Sequence, residues 1–307
     1  MAGMKATDRS RWLSVNGLDL HLREWGVDGA PTLFLLHGWM DVSASFAFLV
    51  DELQCDWHVI APDWRGFGLS SWASHGYEFP DYFADLDALL DRLSPDAPAR
   101  VVGHSMGGNV LMSYAGLRPD RLSRVVSLEG FGGHRYDARR SPEHLVRWLD
   151  QQRTPATFRP YPSLDDVARR LRKSNPRLSA ERATFLAPHW ARPAAGGGFV
   201  LRADPRHKQL HAQQTRLDEA YACWNRVTCP VLWVMASDPA KQGFRLDTPE
   251  QFAERCAAVP GVRLERLEEC GHMLHHDQPA AVARLLESFF IEQAEVHAGS
   301  NQAGVRS

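Results

Sequence analysis

The sequence predicts an α/β fold: a mostly parallel, doubly wound sheet with a helical insertion. Three observations carry that prediction. Short, uninterrupted apolar runs recur along the chain, each stopping at a polar residue, a proline or a glycine. Amphipathic stretches at helical spacing fall between them. Residues with chemistry cluster where the apolar runs stop. Uninterrupted runs suit strands covered on both faces, and alternating strands and helices are the signature of an α/β chain. Open α/β sheets place their sites beyond the carboxyl ends of their strands.

Taken in order, Trp12 to Trp25 reads as a β-hairpin. Asn16-Gly17 supplies the two-residue turn, and Leu18, Leu20 and Leu22 alternate with polar residues. Thr32 to Leu36 is an apolar run ending in His37-Gly38, and His58 to Ala61 ends in Pro62-Asp63. Ala99 to Val102 precedes a glycine-flanked serine, and Arg124 to Leu128 ends at Glu129-Gly130. Val231 to Met235 leads to Asp238-Pro239, and Val262 to Leu267 leads to Gly271-His272. Helical patterns cover Tyr82 to Leu93, Val110 to Leu117, Glu250 to Val259 and Ala280 to Ile291. The alternation lapses between Gly132 and Arg226, where four helical stretches occur: Pro142–Leu149, Leu164–Leu171, Ser179–Trp190 and Gln213–Trp224. This region, 133–226, reads as a helical subdomain inserted between two sheet strands. Residues 1–132 and 227–292 then form the core, with Gly132-Gly133 as the hinge and Ala194 to Gly198 as an exposed turn. Residues 293–307 are polar and small, and read as a disordered tail.

The totals exclude several classes. A chain of 307 residues, 44% hydrophobic and 23% charged, can bury a large core. Its net charge of −2 gives no bulk attraction to nucleic acid or to an anionic membrane. No apolar stretch is long enough for a membrane span. The five cysteines are scattered without a C-x-x-C pair, so free thiols in a reducing compartment are expected, not a disulfide framework or a zinc site. The N-terminus shows no apolar leader, and the chain reads as cytoplasmic.

The stretch around which the chain is organised is Gly103-His104-Ser105-Met106-Gly107. A serine at the apex of a tight strand-to-helix turn has its hydroxyl pushed out above the sheet. Side chains two residues either side would collide across that turn, which favours glycine at 103 and 107. A serine hydroxyl is a weak nucleophile and needs a histidine base, an orienting carboxylate and donors for an oxyanion.

With Leu36-His37-Gly38-Trp39, Pro62-Asp63-Trp64-Arg65-Gly66-Phe67-Gly68-Leu69-Ser70, Gly103 to Gly108, Ser237-Asp238-Pro239 and Gly271-His272 in that order, the chain resembles an α/β-hydrolase-fold protein with a helical cap. The resemblance runs from about residue 12 to 291. It implies Ser105 as nucleophile and His272 as base, with His275 and His276 as nearby rivals. It implies backbone N–H groups of Trp39 and Met106 as the oxyanion donors, and structural roles for His37 and His104. For the acid it favours Asp238, after the strand ending at Met235. Glu129 is the alternative, at a position some members use, and Asp247 is a third candidate. One departure is Met235-Ala236-Ser237-Asp238, where the family usually has a glycine three residues before the acid. Asp63 and Arg65 are read as a charged pair bracing their glycine-containing loop.

The segment 135–216 holds seventeen Arg and Lys against seven Asp and Glu. These charges read as a solvated cap surface paired to acidic flanks of the core, or as a field that steers an anionic substrate. The expected activity is hydrolysis of a small or medium carboxylic ester through an acyl-enzyme, with no cofactor and no metal. The alternatives are the same triad in C–C bond hydrolysis, perhydrolysis or cyanohydrin cleavage, or a ligand-binding receptor.

Overall fold

The computed structural model describes residues 8–133, 137–154, 156–214, 216–237 and 248–291. The chain starts with strands β1 (Arg9–Val15) and β2 (Leu18–Gly26), joined through Asn16 and Gly17. Both turn residues have positive φ, +49° and +77°, as a two-residue turn matched to strand twist requires. Next come β3 (Thr32–Leu36), the short α1 (Ala47–Val50), β4 (His58–Pro62) and α2 (Phe79–Leu93). β5 (Ala99–His104) runs into α3 (Met106–Leu117), and β6 (Leu122–Leu128) follows.

An inserted region then contains α4 (Ser141–Gln152), α5 (Leu164–Ser174), α6 (Ala180–Trp190), β7 (Ala191–Pro193), β8 (Phe199–Leu201) and α7 (Leu217–Trp224). The residues 194–198 close the β7–β8 hairpin. Those two strands are three residues each, too short for a periodic pattern to announce them. The core resumes with β9 (Val231–Ala236), α8 (Pro249–Ala257), β10 (Arg263–Leu267), α9 (Leu274–Asp277) and α10 (Pro279–Ile291).

The main sheet has the order β1-β2-β4-β3-β5-β6-β9-β10. β2 is antiparallel to β1 and β4, and every other pairing is parallel. Both faces are covered. Val101, Val125 and Val231 join one buried cluster with α2 and α3 residues. Their neighbours Val102, Val126 and Leu232 join another with α1 and α10 residues. Side chains alternate across a strand, so burial on both faces produces the uninterrupted apolar runs.

From β3 the chain moves outward to β4, then returns to β5 on the other side. The strand order reverses between β3 and β5. Leu36 pairs with Gly103 at the ends of these strands, so the His37-Gly38-Trp39 loop and the Ser105 turn emerge side by side. Such a reversal opens a crevice in a doubly wound sheet.

Helices α5 and α6 share an apolar cluster with Phe48 of α1. The hairpin region meets the 63–70 loop through a bridge between Ala203 and Phe67. α7 packs along α3, with Trp224 fully buried in the sheet's own core. The arginines of the inserted region find partners mostly close by in sequence: Arg139 with Asp137, Arg153 with Asp150, Arg169 with Asp166, and Arg206 with Asp204. Pairing to acidic flanks of the core is not the pattern among these described residues. All five cysteines are free, and none of the described helices is long and apolar enough to cross a membrane.

Candidate active site

Ser105 is the N-cap of α3 and has φ +50° and ψ −113°, a conformation that side chains rarely adopt. The neighbouring glycines explain how the turn is accommodated. A Cβ on Gly103 would sit 2.5 Å from the Gly107 carbonyl oxygen. A Cβ on Gly107 would collide with the Leu36 carbonyl of β3. The Ser105 N–H donates to the Leu128 carbonyl at 2.8 Å, and its carbonyl accepts from Asn109 N–H at 2.9 Å. The apex is therefore pinned to β6 on one side and to the helix on the other.

His272 reaches this apex from the loop between β10 and α9. Its Nε2 lies 3.0 Å from Ser105 Oγ, and its Nδ1 lies 3.3 Å from Glu129 Oε2. Glu129 stands at the end of β6 with φ +56°. Its backbone N–H donates to Val234 O at 3.0 Å, and its Oε1 accepts from the Ala236 N–H at 2.7 Å. The carboxylate is buried and held by the neighbouring strand β9, with one oxygen left facing the imidazole. Asp238 and Asp247 lie outside the described residues.

The other histidines separate cleanly from this arrangement. His37 Nε2 accepts the Trp64 N–H at 2.9 Å, so its Nδ1 carries the proton and donates to Gly38 O at 2.8 Å. Burial lowers its pKa and keeps it neutral. His104 is also buried, its pKa pushed well below the usual range by desolvation and by nearby His272. Its Nε2 sits 2.8 Å from the His272 carbonyl and holds the loop that carries His272.

His275 and His276 bond elsewhere than Ser105. Both Nε2 atoms lie 2.8 Å from Ser45 Oγ, which donates to Asp41 Oδ2 at 2.7 Å. Asp41, His275 and His276 bring ligand-type atoms within 4.8 Å of one another. Ser45 Oγ already bridges all three, so they form a buried hydrogen-bonded hub. The hub ties α9 to the segment that follows the Trp39 loop. Nothing in the spacing of these residues could have announced it.

Met106 opens α3, so its backbone N–H points out of a positive helix end. Trp39 follows Gly38, and a Cβ at Gly38 would press on His104 Nδ1 at 2.9 Å and on Ser105 Cβ at 3.2 Å. That close approach sets the Trp39 loop beside the serine. Trp39 is half exposed, and its Nε1 donates to His207 O at 3.3 Å.

Asp63 and Arg65 brace their loop separately, not as a pair. Asp63 accepts from His21 Nδ1 at 2.8 Å, Ser43 N–H at 2.7 Å and Leu69 N–H at 2.9 Å. Burial opposes its charge, yet these hydrogen bonds, that of His21 foremost, hold its carboxyl far below the usual range. Arg65 makes a bidentate pair with Asp85 on α2, both contacts at 2.6 Å. The chain leaves β4 and turns at this point, so residues close in sequence meet different elements.

The arrangement can deprotonate a hydroxyl and stabilise the imidazolium that results. Comparisons with known proteins agree with its context. Residues 31–279 match a family model described as alpha/beta hydrolase fold. A serine hydrolase-like protein of Danio rerio is 29% identical over 286 residues, covering 90% of this chain and 86% of the relative. Serine hydrolase-like protein 2 of Homo sapiens is 26% identical over 296 residues, covering 87% of this chain and 89% of the relative. Among solved structures, the thioesterase domain from the curacin biosynthetic pathway superposes with a TM-score of 0.81 at 23% identity, covering 92% of this chain and 99% of that one. The nucleophile-type turn, the strand reversal beside it and the matched span agree, and the chain belongs to the alpha/beta hydrolase fold family.

Proposed function

We propose that the chain is a cofactor-independent serine hydrolase cleaving a small or medium carboxylic ester, with residues 133–226 as a cap over the site. One observation carries the reading: Ser105 Oγ, His272 Nε2 and Nδ1, and Glu129 Oε2 form one continuous hydrogen-bonded line. Ser105 Oγ attacks the ester carbonyl as His272 Nε2 takes its proton. The tetrahedral oxyanion is received by the backbone N–H groups of Trp39 and Met106. Collapse breaks the bond to the alcohol, which leaves with the proton from His272. Water then attacks the acyl-enzyme as His272 takes its proton, and collapse breaks the bond to Ser105 Oγ, which recovers that proton from His272 as the acid departs. Glu129 takes the orienting role in this reading, because its free carboxylate oxygen faces Nδ1 while Ala236 N–H holds the other.

The test is labelling of the folded protein with a fluorophosphonate, followed by p-nitrophenyl esters of increasing chain length. Labelling at Ser105 that is lost in His272→Ala supports the reading. Absence of labelling in the wild type overturns it.

A further inference from the structure

We propose that the cap positions the base: Asn175 at the end of α5 and Arg182 on α6 clamp the His272 loop through Asp277 and the His276 carbonyl. The inference rests on the serine-hydrolase reading above.

The clamp starts at Asp277. Its Oδ2 accepts the Gly271 N–H at 2.8 Å, one residue before His272. Its Oδ1 accepts from Asn175 Nδ2 at 2.8 Å. Asn175 is itself oriented, because its Oδ1 accepts the Arg177 N–H at 3.1 Å. That bond fixes which end of the amide faces Asp277. Asn175 terminates α5, where its own N–H still bonds to Leu171 O. Arg182 provides the second hold. Its Nη1 donates to the His276 carbonyl at 2.5 Å, while its guanidinium lies over the Phe48 ring, 4.9 Å from the centroid. Phe48 belongs to the same cluster as Leu171, Leu178 and Ala183, so both holds descend from one packed unit, the α5–α6 pair.

The two contacts flank the base, one acting just before His272 and the other four residues after it. A rigid grip on both sides restricts the loop that sets the His272 Nε2 to Ser105 Oγ distance. Catalytic geometry tolerates little error, since a shift of about 1 Å can cost roughly a hundredfold in rate. The cap's position is thereby linked to assembly of the catalytic line. Asn175, Asp277 and Arg182 are positioning residues and touch no reacting atom.

The experiment measures kcat and KM for p-nitrophenyl butyrate in the full chain, with melting temperature as the check on folding. In Asn175→Asp the new carboxylate faces Asp277 and repels it. The expected result is a fall in kcat of about tenfold, with KM within twofold. The double variant Asn175→Asp/Asp277→Asn restores the pair with donor and acceptor exchanged. The amide now at position 277 can accept from the Gly271 N–H and donate to the carboxylate now at position 175. This variant is expected to recover most of the lost kcat. Asn175→Ala, which removes the contact without repulsion, is expected to fall between Asn175→Asp and the wild type. Wild-type kcat in Asn175→Asp, or no recovery in the double variant, overturns the clamp while wild-type labelling at Ser105 leaves the hydrolase reading standing. A wild type that is neither labelled nor active overturns both.

Discussion

Ser105 Oγ and His272 Nε2 stand 3.0 Å apart although 167 residues separate them in the chain. Neither depends on the other for its place. Ser105 is pinned by β6 and α3, and His272 by His104 and by the Asp277 bond to Gly271. The distance is thus a property of the scaffold, which is the meaning of preorganisation. Ser105→Ala and His272→Ala are each expected to lower kcat by roughly six orders of magnitude, with little further loss in the double variant. Glu129→Gln is expected to cost less, roughly four orders of magnitude, since the amide favours the wrong tautomer, while Asp238→Asn retains most activity. Inverted results for the two acids would move the orienting role to Asp238.

Trp39 is assigned a role through its backbone, and the residue is 52% exposed. Trp39→Ala keeps the N–H and is expected to lower kcat by less than about tenfold, whereas loss of one oxyanion donor costs roughly a hundredfold to a thousandfold. Steady-state kinetics on p-nitrophenyl butyrate separate these outcomes, and a fall of the larger size would assign an essential function to the ring.

Gly103→Ala is expected to destabilise the protein by about 1–3 kcal/mol or more, because the new Cβ meets backbone that cannot rotate away. Built on Gly103, it lies 2.5 Å from Gly107 O and 2.6 Å from Gly108 N. Gly196→Ala is the control: no atom lies within 4 Å of a Cβ there, and the expected change in urea midpoint is near zero. Equal midpoints for the two variants would contradict the steric argument.

Arg65 and Asp85 form a buried bidentate pair, Asp85 being fully buried. Asp85→Ala leaves the guanidinium without its main partner and also releases Asn16 Nδ2, which bonds to Asp85 at 3.1 Å. The expected cost is about 3–5 kcal/mol, read by denaturant unfolding. A cost below about 1 kcal/mol, the size of an exposed pair, would mean that Asp81, 3.3 Å from Arg65, takes over the charge.

Several buried or half-buried histidines predict acid sensitivity. Burial pushes His207 and His276 down to about 3 and His189 down to about 4. In the unfolded chain each titrates near its ordinary value, so the unfolded state binds more protons between those limits. Their contribution is complete above about pH 6.5 and is lost as pH falls towards the folded values. Asp41, raised by burial to about 7, acts oppositely between about pH 4 and that value. It is one group against several, so melting temperature should fall as pH drops from about 6.5 to about 4. His207 is stacked between Phe67 and Tyr77, with centroids at 3.9 and 3.7 Å. His207→Phe keeps a ring in that slot and should flatten part of the pH dependence. An unchanged slope would remove His207 from the account.

The sequence by itself determined the α/β class, the order of its sheet strands along the chain and the serine turn. These are local quantities. A strand covered on both faces must be apolar throughout, as Val101-Val102 and Val125-Val126 are. A turn as tight as that at Ser105 excludes side chains at 103 and 107. The Gly271-His272 pair after a strand was legible as a pattern, and its choice over His275 and His276 came from the family resemblance. Tertiary structure alone decided which residues meet across the sheet. Whether Glu129 faces His272 depends on the β6–β9 register, where Leu128 pairs with Val234. The partners of Asp63 and Arg65 depend on the packing of β2 and α2 around their loop. The Asn175–Asp277 contact depends on how α5 and α6 dock on Phe48. Spacing in sequence carries no information about such contacts, because they are fixed by the packing of whole elements and not by any residue's near neighbours.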